Sequence, residues 1–489
     1  MSRINTNVTS LLAQRTLRQQ NLGLNTSLQR LSTGLRINRG ADDPAGLIAS
    51  ENLRAEKTAI TAALSNAERA DQVINIAEGG LTEISNLLND LQGLIGQSGN
   101  EAGLSAEEKE ANQLQIDSIL QTIDRIANST SFQGVKLLNG NFAYTVEDVV
   151  AADLSEVKVA AAKIPSSGEI NVTVDVITSA QTGGAFLSGN AAGGTTLNNG
   201  GDGSLTLEIA GVEGTQQLTF GSGTALADVV TAINTFTEST GVEAAVSGNI
   251  VKLNSTGFGS DEFVSVTVIA GRSGASGLSA DAYAAGGTDA TVSDDGRDAA
   301  VNINGQVATV KGLTARVANG NFDVTVSLTE ALNTDSATSS FDITGGGATF
   351  QLSPKIDLAG KASLGIEAVT TGRLGSATNG RLQLLGTGGT ANVVDGDLGK
   401  AQKIVNDSIK QISSLRGRLG SFQTNTIGAS ARALGVALEN TAAAESQIRD
   451  TDFAAETASL TRSQILVQAA TNVLSLANAT PQNVLALLG

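Results

Sequence analysis

Residues 74–95 read INIAEGGLTEISNLLNDLQGLI, and Ile74, Ala77, Leu81, Ile84, Leu88, Leu91 and Ile95 recur there in alternating steps of three and four. A chain turning once every 3.6 residues puts all seven on one stripe of a helix. Steps that alternate so regularly keep the stripe facing a neighbouring helix, as in a coiled coil or bundle. A strand would instead alternate in twos. This stretch therefore sets the expectation for the fold: long helices that need helical partners.

The same pattern recurs towards both ends of the chain. Leu17, Leu24, Leu28, Leu31 and Leu35 follow a three/four spacing, with Asn21 breaking the apolar line. Ile116, Ile119, Ile123 and Ile126 follow the segment LSAEEKEA, where Ser105 precedes Glu108 by three, as a helix-capping pair would. Towards the other end, Val405, Ile412, Leu415, Leu419 and Phe422 form a comparable stripe. The last candidate helix places Leu460, Val467 and Leu474 seven apart, accompanied by Leu466, Ala470, Val473 and Ala477. It runs into NATPQNVLALLG, where Pro481 is expected to disturb or stop it. Small apolar positions of this kind let helices approach closely but make a poor core for a lone chain.

The centre is different. EINVTVDVIT (169–178), SLTLEIAGV (204–212) and EFVSVTVIAG (262–271) alternate as half-buried strands between Gly, Asn, Asp and Ser turns. Between them TALADVVTAINTFTEST (224–240) has helical spacing through Leu226, Val230 and Ile233. A further β-rich unit spans residues 299–328. The organisation is helices, β-rich insertion, helices. It predicts an α+β fold: a long antiparallel helical bundle or coiled-coil core formed by both chain ends, with β-rich outer insertion domains.

Composition narrows the chemistry. The 489 residues include 56 Gly and no His, Cys or Trp. Metal sites of the His/Cys kind, disulfides and histidine triads are excluded. The net charge of −17 disfavours a nucleic-acid partner and favours solubility. No run of about 18 apolar residues marks a membrane span. The first residues lack the apolar core of a secretory signal, so a destination outside the cell implies another route.

One segment looks at first like a reactive loop. RINRGADDPAG (36–46) packs two arginines, two aspartates, two glycines and a proline between helical stretches. Adjacent acids do not make a calcium loop, and no nucleophile or cofactor motif accompanies them. A structural reading uses every unusual residue. Gly34 and Gly40 relax the backbone, Asp42 or Asp43 caps the next helix, and Pro44 sits in its first turn. Arg36 and Arg39 are then candidates for pairing with carboxylates on the same or an adjoining subunit.

The two ends also resemble bacterial flagellin. The resemblance rests on MSRINTNVTSLLAQRTLRQQNLGLNTSLQRLSTGLRINRGADDPAGLIASENLRAE and STSFQGVKLLNGNF at one end, and on ENTAAAESQIRDTDFAAETASLTRSQILVQAATNVLSLANATPQNVLALLG at the other. It covers roughly residues 1–145 and 345–489, where GATFQLSPKIDLAGKASLGIEAV looks like the return strands of the helical core domain. It implies a terminal inner-core domain (1–44 plus 450–489) and a helical core domain with β-hairpins (45–145 plus 345–449). A variable exposed insertion (146–344) would lie between them as two modules, about 146–270 and 271–344. The segment from Thr224 to Gly257 is similar to small insertion modules of flagellins and hook-associated relatives.

The family implies a non-enzymatic subunit of the bacterial flagellar filament, the propeller of motility, with no cofactor. Leu17, Leu24, Leu28, Leu31, Leu35, Leu460, Val467 and Leu474 would make the inner-core assembly contacts, a seam completed mainly between subunits, with an intramolecular helix core as the alternative. Arg36, Arg39, Asp42, Asp43 and Pro44 would make the joint and its subunit contacts. Ile74, Leu81, Ile84, Leu88, Leu91, Ile95, Ile412, Leu415 and Leu419 would pack the helical core. The implied partners are further copies, other flagellins, the export apparatus, the filament cap and hook-associated proteins. An export chaperone would contact Leu466, Val473 and Leu476. The destination is the extracellular filament, without a cleaved signal and without membrane insertion. Flagellins that activate the innate immune receptor carry an Arg-rich patch where this chain has Asp90, Gln92 and Gly93, which disfavours receptor activation. Two alternatives stay open: a hook–filament junction or cap-associated protein, and a filament subunit whose insertion is an adhesin.

Overall fold

A computed structural model describes residues 6–100, 103–165, 168–188, 196–197, 203–271, 278–279 and 291–488, without side-chain detail at 278–279 and beyond 479. Its helices are α1 (Val8–Thr33), α2 (Pro44–Ser98), α3 (Ala106–Ser129), α4 (Leu226–Asn234), α5 (Thr237–Thr240), α6 (Leu398–Ser421), α7 (Gly428–Arg449) and α8 (Phe453–Leu488). The chain divides into two compact units. One holds the chain up to Gln72, Phe350–Lys361 and the chain from Gln423; the other holds Val73–Thr349 and Ala362–Phe422.

In the first unit α1 and α8 lie antiparallel. The Asn7 side chain donates to the Ala477 carbonyl at 2.8 Å, and Arg30 faces Glu456 at 3.5 Å. The early turns of α2 run antiparallel to α7, with Lys57 on Glu445 at 2.6 Å and Arg449 on Glu51 at 2.9 Å. Ile60, Ala63 and Leu434 bury a small core between those two helices.

Pro481 does not stop α8, which continues to Leu488. A proline in a helix withholds the N–H that the carbonyl four residues earlier would receive. That carbonyl belongs to Ala477, and the Asn7 amide supplies a donor to it. Asn7 also caps α1 by accepting from the Ser10 N–H at 3.0 Å.

In the second unit the stripe from Ile74 to Ile95 is buried throughout. α6 packs antiparallel to it, joined by Arg416 to Glu78 at 2.7 Å and by Gln92 to Asn406 at 3.1 Å. Ile412, Leu415 and Leu419 bury on that side of α6. α3 begins with a complete capping box made by Ser105 and Glu108. It returns alongside α2 so closely that a Cβ on Gly80 would lie 2.8 Å from the Thr130 hydroxyl. Two α3 carboxylates hold the segment that precedes α6. Asp124 accepts from the Thr371 N–H and hydroxyl, and Asp117 does the same for Thr387.

The insertion forms two β modules with separate cores. In the first, a five-stranded antiparallel sheet runs in the order Gln306–Val307, Ala300–Ile303, Ile170–Thr178, Thr338–Gly346, Tyr144–Glu147. A four-stranded sheet (Thr309–Lys311, Thr314–Ala318, Phe322–Leu328, Leu154–Ala162) shares its core. Val172, Val174 and Val176 alternate into that core, which is the period-two burial their spacing predicts. The second module has two four-stranded sheets around a core that includes Leu205, Leu207, Ile209, Val251, Leu253, Val264 and Val266, with α4 contributing Leu226, Val229 and Ile233.

These modules are nested, not consecutive. The expected boundary near residue 270 is replaced by a first module assembled from residues on both sides of the second, because Ile170–Thr178 pairs with both Ala300–Ile303 and Thr338–Gly346. The second module departs after Gln181 and returns before Arg297, and those two residues exchange backbone hydrogen bonds of 2.8 and 2.9 Å.

Candidate assembly interface

The line of α1 turned towards α8 is Ser10, Ala13, Leu17, Gln20, Leu24, Ser27 and Leu31, all of them buried or half-buried. On α8 the corresponding line is Glu456, Leu460, Ser463, Val467, Ala470, Leu474 and Ala477. Both keep strict three/four steps, so the pair is a short antiparallel coiled coil. Its buried members are serines and alanines, its leucines and valine are half-buried, and Gly23 lies opposite Ser463. A seam of such small side chains supplies little apolar burial, since the hydrophobic contribution scales with the area removed from water.

The large apolar residues mostly lie elsewhere on these helices. Leu28 falls one position off the seam and is 47% exposed, so it does not pack between α1 and α8 as the leucine spacing suggests. Leu35 lies beyond the end of α1, where it bridges to Asp450. Val8, Leu11, Leu12 and Leu22 are exposed on α1, and Phe453, Ile465, Leu466, Val473 and Leu476 on α8. The chaperone candidates Leu466, Val473 and Leu476 belong to this exposed set, whereas Leu460, Val467 and Leu474 are half-buried in the seam. Exposed large apolar side chains in such number are candidates for association contacts.

The joint follows directly. α1 ends at Gly34, whose φ of 72° is a left-handed cap that a residue with a Cβ rarely adopts. The chain then pairs with the α7–α8 connection, Arg36 N–H bonding to the Arg449 carbonyl and Thr451 N–H to the Gly34 carbonyl. Ile37 is fully buried beneath. Arg36 does not meet a carboxylate: its guanidinium donates twice to the Ile448 carbonyl, at 2.6 and 3.2 Å. Asp43 caps α2 by accepting from the Gly46 N–H at 2.9 Å, with Pro44 as the first helical residue. Asp42 instead gathers the N–H groups of Asn38 and Arg39, at 3.0 and 2.9 Å. Arg39 is exposed and its side chain has no hydrogen-bond partner among the described residues.

Two expected outcomes follow for the joint. Asp43→Ala removes the α2 cap and is expected to cost about 1 kcal/mol, read as a lowered midpoint of urea unfolding. Asp42 carries a pKa below the ordinary carboxylate value, chiefly because the Arg39 and Asn38 N–H groups favour its charged form. A folded-state pKa that is depressed contributes stability above the unfolded value and loses it as pH falls through the folded one. Hydrogen exchange at the Asn38 and Arg39 amides should therefore accelerate in acid relative to the intrinsic rate. Asp42→Asn should show the faster exchange at neutral pH and no further acid step.

The helical core residues lie together in the second unit. Asp90 is exposed, Gln92 is spent on Asn406, and a Cβ on Gly93 would meet open space. Sequence reasoning missed Ser10, Ala13, Ser27, Ile37 and the Lys57–Glu445 pair. The phase of Leu17, Leu24 and Leu31, extended in steps of three and four, points to the small seam residues. Nothing local marks the ion pair. Among the described residues no group of three or more acidic, His or Cys side chains is placed to hold a metal, and no helix is long and apolar enough to cross a membrane.

Paired terminal helices that leave several large apolar side chains exposed fit a structural subunit. The bacterial flagellin N-terminal helical region matches residues 4–143, its C-terminal helical region matches 402–488, and the flagellin hook IN motif matches 205–258. The chain is similar to a flagellin of Salmonella typhimurium at 29% identity, covering 99% of each chain. It is similar to the phase 2 flagellin of the same organism at 30% and to flagellin B of Helicobacter pylori at 28%, again covering 99% of each. The chain belongs to the bacterial flagellin family.

Proposed function

We propose that this flagellin polymerises through the outer face of its α1–α8 pair, and that copies packing there build the extracellular flagellar filament. The single observation that carries the reading is how that pair distributes its apolar side chains: the buried seam positions are small, the seam's leucines and valine are only half-buried, and further large apolar side chains stand exposed. Fully burying one Leu, Val or Ile side chain contributes about 1.5–3 kcal/mol, so a neighbour covering a few of them supplies what the seam lacks. Folding of the ends is thereby coupled to assembly. The joint holds α1, α2, α7 and α8 in fixed register as that surface is covered. The domain scheme that goes with this reading places the terminal pair innermost, the helical core around it and the nested β modules outside.

Association with the export chaperone, the export apparatus, the filament cap and hook-associated proteins belongs to the same reading, as does export without a cleaved signal. Catalysis is no part of it. The test is seeded growth: purified monomer is added to sheared filament fragments and followed by electron microscopy. Elongating tubes are the expected result. A monomer that never adds to seeds, under salt conditions that extend authentic flagellin filaments, would overturn it.

A further inference from the structure

The sequence holds five Asn–Gly pairs, and two of them stand in the same tetrapeptide, Asn-Gly-Asn-Phe, at residues 139–142 and 319–322. Asn–Gly is the pair in which a backbone nitrogen most easily reaches a side-chain carbonyl, because glycine has no Cβ to block the approach. Identical neighbours give the two sites matched local chemistry, so the surrounding structure decides between them.

At Asn319 the amide is tied at both ends. Its Nδ2 donates to Gln306 Oε1 at 2.8 Å, while Oδ1 accepts from the Asn321 and Phe322 N–H groups at 2.8 and 2.9 Å. Asn304 donates Nδ2 to the Asn171 carbonyl, and Asn379 donates its Nδ2 to Asp407. The fifth pair, Asn199–Gly200, lies outside the described residues. Asn139 differs from the three described alternatives: its Nδ2 has no partner among the described residues, and its one side-chain bond is Oδ1 accepting from the Asn141 N–H at 3.2 Å. Gly140, at φ 101°, likewise gives its N–H to no acceptor there.

We infer that Asn139 is a site of spontaneous deamidation, selected over Asn319 by tertiary restraint. The Gly140 nitrogen, once deprotonated, attacks Asn139 Cγ and forms a new N–C bond. The Asn141 N–H, already aimed at Oδ1, stabilises the oxyanion that develops on it. The Cγ–Nδ2 bond then breaks, and Nδ2 leaves as ammonia after taking up a proton from water. Water opens the resulting succinimide at either carbonyl, giving aspartate or isoaspartate. The net change is one water consumed, one ammonia released and one carboxylate gained. An unbonded leaving group and an unbonded nucleophile are what the step requires, and Asn139 with Gly140 has both. The product adds a negative charge and, in the isoaspartyl form, a backbone methylene directly after the fully buried Leu137 and Leu138.

The test uses the intact chain, incubated in mildly alkaline buffer either folded or in concentrated urea. Peptide mapping by mass spectrometry reads the Asn-to-Asp mass change at both tetrapeptides. Folded protein should lose Asn139 faster than Asn319 by about fivefold or more, the ratio that one ordinary hydrogen bond to the leaving group imposes. In urea the two rates should converge. Gln306→Ala, on an exposed hairpin residue, should raise the Asn319 rate in folded protein and leave Asn139 unchanged. Equal rates in the folded chain, earlier loss of Asn319, or an Asn319 rate indifferent to Gln306→Ala would each overturn the inference.

Discussion

A chain carrying Val473→Asp and Leu476→Asp should fold as the parent does and fail to add to filament seeds. Both side chains are exposed, 57% and 69%, so a carboxylate at either position stays hydrated in the monomer. Surface changes of that sort shift stability by about 0.5 kcal/mol or less. Covering the same positions with a neighbouring subunit strips water from two unpaired charges, at a cost of several kcal/mol for each ion. The penalty recurs with every copy added, so elongation stops instead of slowing. Far-UV circular dichroism should match the parent, and seeded growth should be absent. Elongation at the parental rate would show that this face of α8 is not covered in the polymer.

Leu88→Asp tests the other kind of surface and should damage the monomer itself. Leu88 is fully buried in the α2 stripe beside α6 and α3. A lone carboxylate there would be stripped of water inside the helical core, where Leu88 has no exposed surface. The expected loss exceeds about 4 kcal/mol, which is enough to unfold the helical core of a marginally stable domain. Leu88→Ala should cost about 2–5 kcal/mol through the cavity it leaves. Leu88→Met, close in volume, should cost less than about 1.5 kcal/mol. Thermal unfolding of the three variants should fall in that order. A Leu88→Asp protein with the parental melting temperature would remove this residue from the core.

The contrast between these two stripes explains how much was legible beforehand. Ile74 to Ile95 could be read because large residues mark the buried positions themselves, and burial of large side chains is the strongest periodic signal a sequence carries. The α1–α8 seam dilutes that code, with small residues interleaved between half-buried leucines. Its buried positions are Ser10, Ala13, Ser27, Ala470 and Ala477, while Leu28 and Leu476 turn outward, so spacing by leucine alone misassigns the phase at Leu28. Pro481 fails as a stop signal for a related reason. The rule is local, and a residue far away in sequence, Asn7, supplies a donor that the proline withholds.

Arg36 looked like half of a salt bridge and instead donates to the Ile448 carbonyl, a partner that no composition can reveal. At the joint, the acid–proline pair was readable as a helix start because capping is local chemistry. Which aspartate caps was not, since Asp42 is drawn away by two backbone N–H groups. In the insertion, alternation identified strands correctly but could not pair them. Sheet partners such as Ile170–Thr178 and Thr338–Gly346 lie far apart along the chain, and register between them is set in three dimensions.

The reciprocal backbone bonds between Gln181 and Arg297 give the first β module a closed port. The chain leaves and re-enters at adjacent residues, so that module keeps its strand order whatever is hung between them. Domain insertions are tolerated at sites where the two ends already meet at low cost in host contacts. The two modules also touch beyond that port: Phe258 packs against the first module's core, Ser260 bonds to Asp298 and Asp261 pairs with Lys311, so an exchanged second module has to keep that contact segment. Changes confined to the rest of the second module are expected to leave the pairing of Ile170–Thr178 with Ala300–Ile303 and Thr338–Gly346 as it is.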